Sequence, residues 1–193
     1  MSVKLRFINL FKTKSGGLGF VRAKTFTDNK GAKLIQLKAS IKGKSVGESE
    51  VYIGPKRKSM AVILESFVDE GHRRVGVSSG LFKASLIKSK EHGAGIISAD
   101  GGIIHPAQAI IRSKYKTKFF SKSKEIEAPS SWRNISSKNA IKTLVDKSKD
   151  RDMVRAFTKI PDDIEGAPGK AVGGAKIRFT RIRGRIVPIR QKT

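Results

Sequence analysis

Through the first fifty residues, apolar side chains alternate with charged and small ones: Val3, Leu5 and Phe7, then Leu18, Phe20 and Val21, then Leu34, Ile35, Leu37 and Ile41. A period of two sends successive side chains to opposite faces of an extended backbone, so the pattern predicts strands. Between them, SGGLG at 15–19 and DNKG at 28–31 supply the Gly and Asn that tolerate positive φ in tight connections. The chain is expected to begin as a small antiparallel sheet.

From Ser59 the spacing changes. Met60, Ile63, Leu64 and Phe67 fall at i, i+3, i+4 and i+7, with Glu65, Asp69 and Glu70 among the other positions and Gly71 able to end the run. This predicts a helix. A second helix is expected from about Ser79 to Lys90, burying Leu81, Phe82, Ser85 and Leu86 and leaving Lys83 and Lys88 to solvent. GIISADGGIIH sets a pair of isoleucines on either side of Asp100, Gly101 and Gly102, a hairpin signal. After Pro106 the sequence reads either as a helix or, from the alternation of Lys114, Lys116 and Lys118, as a strand. Past the Ser-rich stretch at 129–137, short helices are expected around Ile141, Leu144 and Val145 and around Met153, Val154 and Phe157.

The fold class expected is α+β: a small antiparallel sheet packed with a few helices over residues 1–160. A Gly/Pro linker at 161–175 and an extended basic C-terminal arm at 176–193 follow.

Charge supplies the functional argument. The chain carries 41 Lys and Arg against 16 Asp and Glu, a formal net charge of +25. Self-repulsion on that scale costs stability unless a polyanion neutralises it. There is no cysteine, hence no disulfide and no thiolate metal site. The opening MSVKLRFINLFKTK lacks the apolar run of a signal peptide, and no stretch approaches the length of a membrane span.

The arm concentrates the charge. Lys176, Arg178, Arg181, Arg183, Arg185, Arg190 and Lys192 include five arginines, whose forked guanidinium matches phosphate and carboxylate oxygens. Arg183 and Gly184 form a candidate two-residue turn joining two strands, with one unbroken strand as the rival reading, and Pro188 suits an edge. The segment Phe179 to Arg190, FTRIRGRIVPIR, resembles the endings of structural and ejected proteins of tailed bacteriophages. That resemblance implies a virion component and transfers no functional residues.

A second basic series, Arg112, Lys114, Lys116, Lys118, Lys122 and Lys124, is interleaved with Tyr115, Phe119 and Phe120. It has the composition of a surface that neutralises phosphates beside aromatic rings able to stack on bases. Core packing is the competing reading of those rings. Lys56, Arg57 and Lys58 precede the predicted first helix, where an anion would also be favoured.

Catalytic signatures are sparse. Gly43, Lys44 and Ser45 form a GKS triplet, but Lys38 stands where a P-loop needs glycine, and GAPGK at 166–170 fails likewise. His72, His92 and His105 match no compact metal-ligand spacing. Glu91 with His92, and Asp100 with His105, are the acid and base pairs worth locating in space, and PDDIEG at 161–166 lacks the lysine of a nuclease pattern.

The sequence therefore predicts a non-enzymatic basic structural component of a large nucleoprotein assembly, a minor virion protein of a tailed phage. Its partners would be nucleic acid, DNA before RNA, or acidic protein subunits, with no membrane, small-molecule substrate, cofactor or metal. The expected location is the virion, assembled in host cytoplasm. A ribosomal or other RNA-binding protein of a cytoplasmic ribonucleoprotein is the first alternative, and a DNA-processing enzyme the second.

Overall fold

The computed structural model describes residues 6–13, 15–55, 60–99, 111–112, 114–121, 124–126, 154–165, 177–182 and 185–190. The alternating N-terminal sequence forms four strands, β1 (Arg6–Lys12), β2 (Leu18–Thr27), β3 (Lys33–Ile41) and β4 (Lys44–Ile53), each antiparallel to the next. The two expected turns use Gly16 and Gly31 at positive φ, and a third, not expected, uses Gly43 in the same way. In the β3–β4 turn Lys42 and Gly43 have φ of 49° and 80°, so the GKS triplet is a hairpin corner and not a phosphate loop.

The helix expected from Ser59 is not formed. Ala61–Val68 is strand β5, antiparallel to β4 from Ile53↔Ala61 to Gly47↔Val68. The ladder shifts between Glu50 and Val51, which face Glu65 and Ile63, so Leu64 is the extra residue of a bulge. That extra residue displaces the alternation by one and gives the apolar side chains a false helical spacing.

The second helix is present as α1 (Val77–Glu91). It buries residues on more than one side, including Leu81, Phe82, Ser85, Leu86 and Lys88, and only Lys83, Lys90 and Glu91 are exposed. Sheet residues Val21, Leu37, Val46 and Val51 join it in one core, as do Ile111, Ile160 and Ile164. At its C-terminal end Lys90 donates to the carbonyls of Asp162 and Ile164. Ile164 thus lies in the core although the sequence assigns it to the linker; residues 166–176 lie outside the described residues.

After α1 the chain forms β6 (Ile96–Ala99), parallel to β5. β7 (Thr117–Ser121), β8 (Lys124–Ile126) and β9 (Val154–Lys159) complete a nine-stranded mixed sheet in the order β1-β2-β3-β4-β5-β6-β9-β7-β8. The chain is α+β, and among the described residues it has more sheet and less helix than its sequence predicts. β9 replaces the helix expected around Met153, Val154 and Phe157, because Ala156 and Thr158 point inward while Phe157 packs edge-on against Phe120 at 5.5 Å. Of the alternating lysines only Lys118 lies on β7; Lys114 and Lys116 belong to a turn that follows the helical residues Ile111 and Arg112. The hairpin turn at 100–102 and the helix at 138–145 fall outside the described residues.

In the arm, β10 (Ile177–Ile182) and β11 (Arg185–Arg190) pair antiparallel from Ile182↔Arg185 to Ile177↔Arg190, and the turn expected at Arg183 and Gly184 lies outside the described residues. They form a separate two-stranded sheet. No helix among the described residues is long and apolar enough to cross a membrane.

Candidate functional site

The one parallel contact in the N-terminal half of the sheet lies between β5 and β6. Ala61, Val62 and Ile63 pair with Ile97, Ser98 and Ala99, and beyond Ile63 no described residue pairs with that side of β5. Among the described residues, Leu64 to Val68 thus form a strand edge on the side away from β4, and part of it is engaged, since Arg73 donates to the Val68 carbonyl.

β5 leads into a tight turn. Asp69 to Gly76 pass through a short 3-10 turn (Glu70–His72), then Arg74 at φ 63° and Gly76 at φ 101°, before α1 begins. Gly76 is required twice over. Its backbone is left-handed, and a Cβ there would stand 2.8 Å from the Lys12 carbonyl oxygen. It caps α1 without a side-chain hydrogen bond, and the first turn holds no acidic residue. The opening amides of α1, at Val77, Ser78 and Ser79, have no partner within the helix by its geometry, and the helix dipole adds positive potential there.

Two exposed arginines stand at this corner. Arg73 donates from Nε to the Val68 carbonyl at 3.3 Å and lies 3.9 Å from Glu70. Arg74 is exposed. Gly47 lets β4 approach, since a Cβ on it would be 2.8 Å from the Phe67 carbonyl oxygen. The corner is thus a glycine-bounded turn with two arginines, free amides and a neighbouring strand edge, the elements of an anion cradle.

Carboxylates line the sheet face next to that edge. Glu65 stands directly across from Glu50, whose Oε1 accepts a hydrogen bond from Gln36 at 2.8 Å, and Glu48 pairs with Lys38 at 2.9 Å. Glu65 is exposed, and Ser49 donates to its backbone carbonyl at 3.0 Å. Two carboxylates in direct cross-strand register repel, so Glu65 favours a cationic group over its neighbour.

The residues predicted from sequence lie elsewhere. Arg178, Arg181, Arg185 and Arg190 are on β10 and β11, while Lys176, Arg183, Lys192 and Lys122 fall outside the described residues. Lys114, Lys116 and Lys118 are exposed, with Lys118 3.0 Å from Glu125, and Lys124 begins β8. Arg112 is not on a surface. It is 1% exposed, lies 4.8 Å from the Phe82 ring and donates to Thr158 at 3.4 Å, and burial lowers its pKa to about 10. Tyr115 packs edge-on against Phe82 at 5.5 Å, and burial raises its pKa. Phe119 is buried. The rings between the lysines are core, which removes the base-stacking surface.

His92 follows the end of α1 beside Glu91, and Asp100 and His105 fall outside the described residues. Among the described residues no three His, Cys, Asp or Glu side chains group as metal ligands. Sequence reasoning missed Glu65, Arg73, Arg74 and Gly76, because it placed Glu65 on a helix and used Gly71 as its stop. The available signal was Arg73-Arg74-Val75-Gly76 immediately before a helical run.

No family model and no curated protein sequence matches this chain. Solved structures do resemble it. A GCN5-related N-acetyltransferase from Kribbella flavida is 23% identical over 45% of this chain, with a TM-score of 0.36. A Bacillus subtilis acetyltransferase in complex with CoA is 16% identical over 66% of this chain and 78% of its own, TM-score 0.45. A cAMP-binding acyltransferase from Mycobacterium smegmatis is 10% identical over 81% of this chain and 49% of its own, TM-score 0.49. The chain spans 22% of the Kribbella protein's length.

These neighbours are acyltransferases. None of the three is a virion protein, against the expectation of a non-enzymatic virion component bound to nucleic acid or acidic subunits. The phage resemblance rested on twelve residues, ten of which lie on β10 and β11.

Proposed function

We propose that the chain is an acyl-coenzyme-A-dependent acyltransferase acting on an amine. One observation carries the reading: β5 runs through a turn with exposed Arg73 and Arg74 into a helix start that Gly76 caps without a side-chain hydrogen bond. The residues at this corner fit the ligand chemically. Its diphosphate would meet the opening amides of α1 with Arg73 and Arg74, and its amide-bearing arm would run along β5.

Acyl-coenzyme A, when bound, supplies an acyl group activated as a thioester. The chain's own contribution is orientation and proton removal. Glu65 projects from the strand that lines the thioester arm, attracts an acceptor ammonium and takes its proton, freeing the amine lone pair. The Glu50 carboxylate opposite strengthens that attraction.

Isothermal titration with acetyl-coenzyme A tests the reading. Saturable one-to-one binding, with coenzyme A competing and Arg74→Ala weakening it about tenfold, is expected. Absence of binding at low salt, or equal binding of adenosine diphosphate and acetyl-coenzyme A by wild type and Arg74→Ala alike, would sink it.

A further inference from the structure

α1 covers one face of the sheet at β1 and β2, where Ile8, Phe11, Val21 and Ala23 belong to the core. The opposite face carries Phe7, Leu10, Leu18 and Phe20. Leu10 stands across from Phe20 and Lys12 across from Leu18, and the Phe7 and Phe20 rings are 6.3 Å apart. Leu18 and Leu10 are 59% and 55% exposed, more than any other large apolar side chain among the described residues. Adjacent exposed apolar groups on one sheet face mark an interaction surface.

The same alternation puts Lys12, Arg22 and Lys24 on this face, with the Arg22 guanidinium 4.8 Å from the Phe20 ring and Lys24 4.6 Å from Phe26. Neither strand contains an acidic residue. A second copy of the chain docked here would set these cations against their own counterparts with no carboxylate between them. A surface that offers phosphates above hydrocarbon satisfies both kinds of side chain.

We infer that the open face of β1 and β2 docks on a bilayer bearing anionic phospholipids. Leu10 and Leu18 enter the boundary between headgroups and acyl chains, and Lys12, Arg22 and Lys24 contact the phosphates. The inference stands apart from the acyltransferase reading, since the two surfaces share no residue.

Co-sedimentation of the full chain with vesicles of phosphatidylcholine alone, or mixed with phosphatidylglycerol, tests it. The mixed vesicles are expected to bind the protein, and Lys12→Gln or Lys24→Gln to weaken partitioning about fivefold each. The deciding variant is Leu10→Ser with Leu18→Ser, which keeps the net charge and touches no buried side chain; it should lose about tenfold or more. Equal sedimentation of that variant and wild type would reduce the adhesion to net charge alone and overturn the inference. So would failure of wild type to bind mixed vesicles, or a solution dimer that the double substitution dissociates.

Discussion

The Phe11 ring of β1 occupies the space beside Gly80 of α1, where a Cβ would stand 2.6 Å from its Cδ1. Asn9 adds a hydrogen bond from Nδ2 to the Gly80 carbonyl at 3.3 Å. The helix therefore meets the sheet at a position that tolerates no side chain. Gly80→Ala gains helix propensity worth about 0.5–1 kcal/mol, but it must displace a packed ring at about 1–3 kcal/mol. A net loss in urea denaturation is expected, and Phe11→Leu in the same chain should recover part of it.

Arg74 has a backbone that favours glycine, with φ of 63°. Arg74→Gly is accordingly expected to leave the melting temperature unchanged or slightly raised while removing a cation from the proposed diphosphate site. Titration calorimetry should show acetyl-coenzyme A affinity falling about tenfold. A stable variant of undiminished affinity would place the diphosphate elsewhere.

Glu65→Gln keeps the size of the side chain and its strand backbone but cannot accept the acceptor's proton. Turnover is expected to fall about 10²–10⁴-fold with acetyl-coenzyme A affinity nearly unchanged. Steady-state kinetics with an amine acceptor, alongside calorimetry, separates the two effects.

Arg112 bears its charge in the core with an aromatic face and one threonine as neighbours, and its Nε has no hydrogen-bond partner. Its folded pKa, about 10, lies below the unfolded value. Between those values the unfolded chain retains a proton that the folded chain has released, so this group makes stability rise with pH there. Below that window the folded state carries the full desolvation penalty. Arg112→Met is expected to raise stability at neutral pH by about 1–3 kcal/mol, with the gap to wild type closing above pH of about 10. Thr158 keeps a partner in Thr117 at 3.0 Å, so denaturant titrations at the two pH values isolate the charge.

The strands β1 to β3 and helix α1 were legible because each repeats apolar side chains at its own period near glycine or asparagine turns. β4 was not, because its inward positions include Gly47 and Ser49, which give no apolar signal. β5 was not, because the bulge at Leu64 resets its alternation midway and brings Met60, Ile63, Leu64 and Phe67 into apparent helical phase. β9 misled for a related reason: Val154 and Phe157 lie three apart, yet Phe157 belongs to the opposite face with Phe120. The candidate site was obscured by charge. Lysine-rich runs dominate the sequence, whereas the corner at Arg73 and Arg74 holds only two cations and gains its character from backbone amides, which composition does not report.

The strand order also dictates when parts of the molecule can form. β1 to β5 pair only with sequence neighbours, so these hairpins can close while the chain is still being made. β6 instead lies between β5 and β9, and its second partner begins only at Val154. Until that late segment arrives, Ile97 and the C-terminal half of α1 lack part of their cover. A nascent chain halted before Val154 should be protease-resistant through β5 and cut readily after Ile96, which makes β6 the seam where synthesis and folding fall out of step.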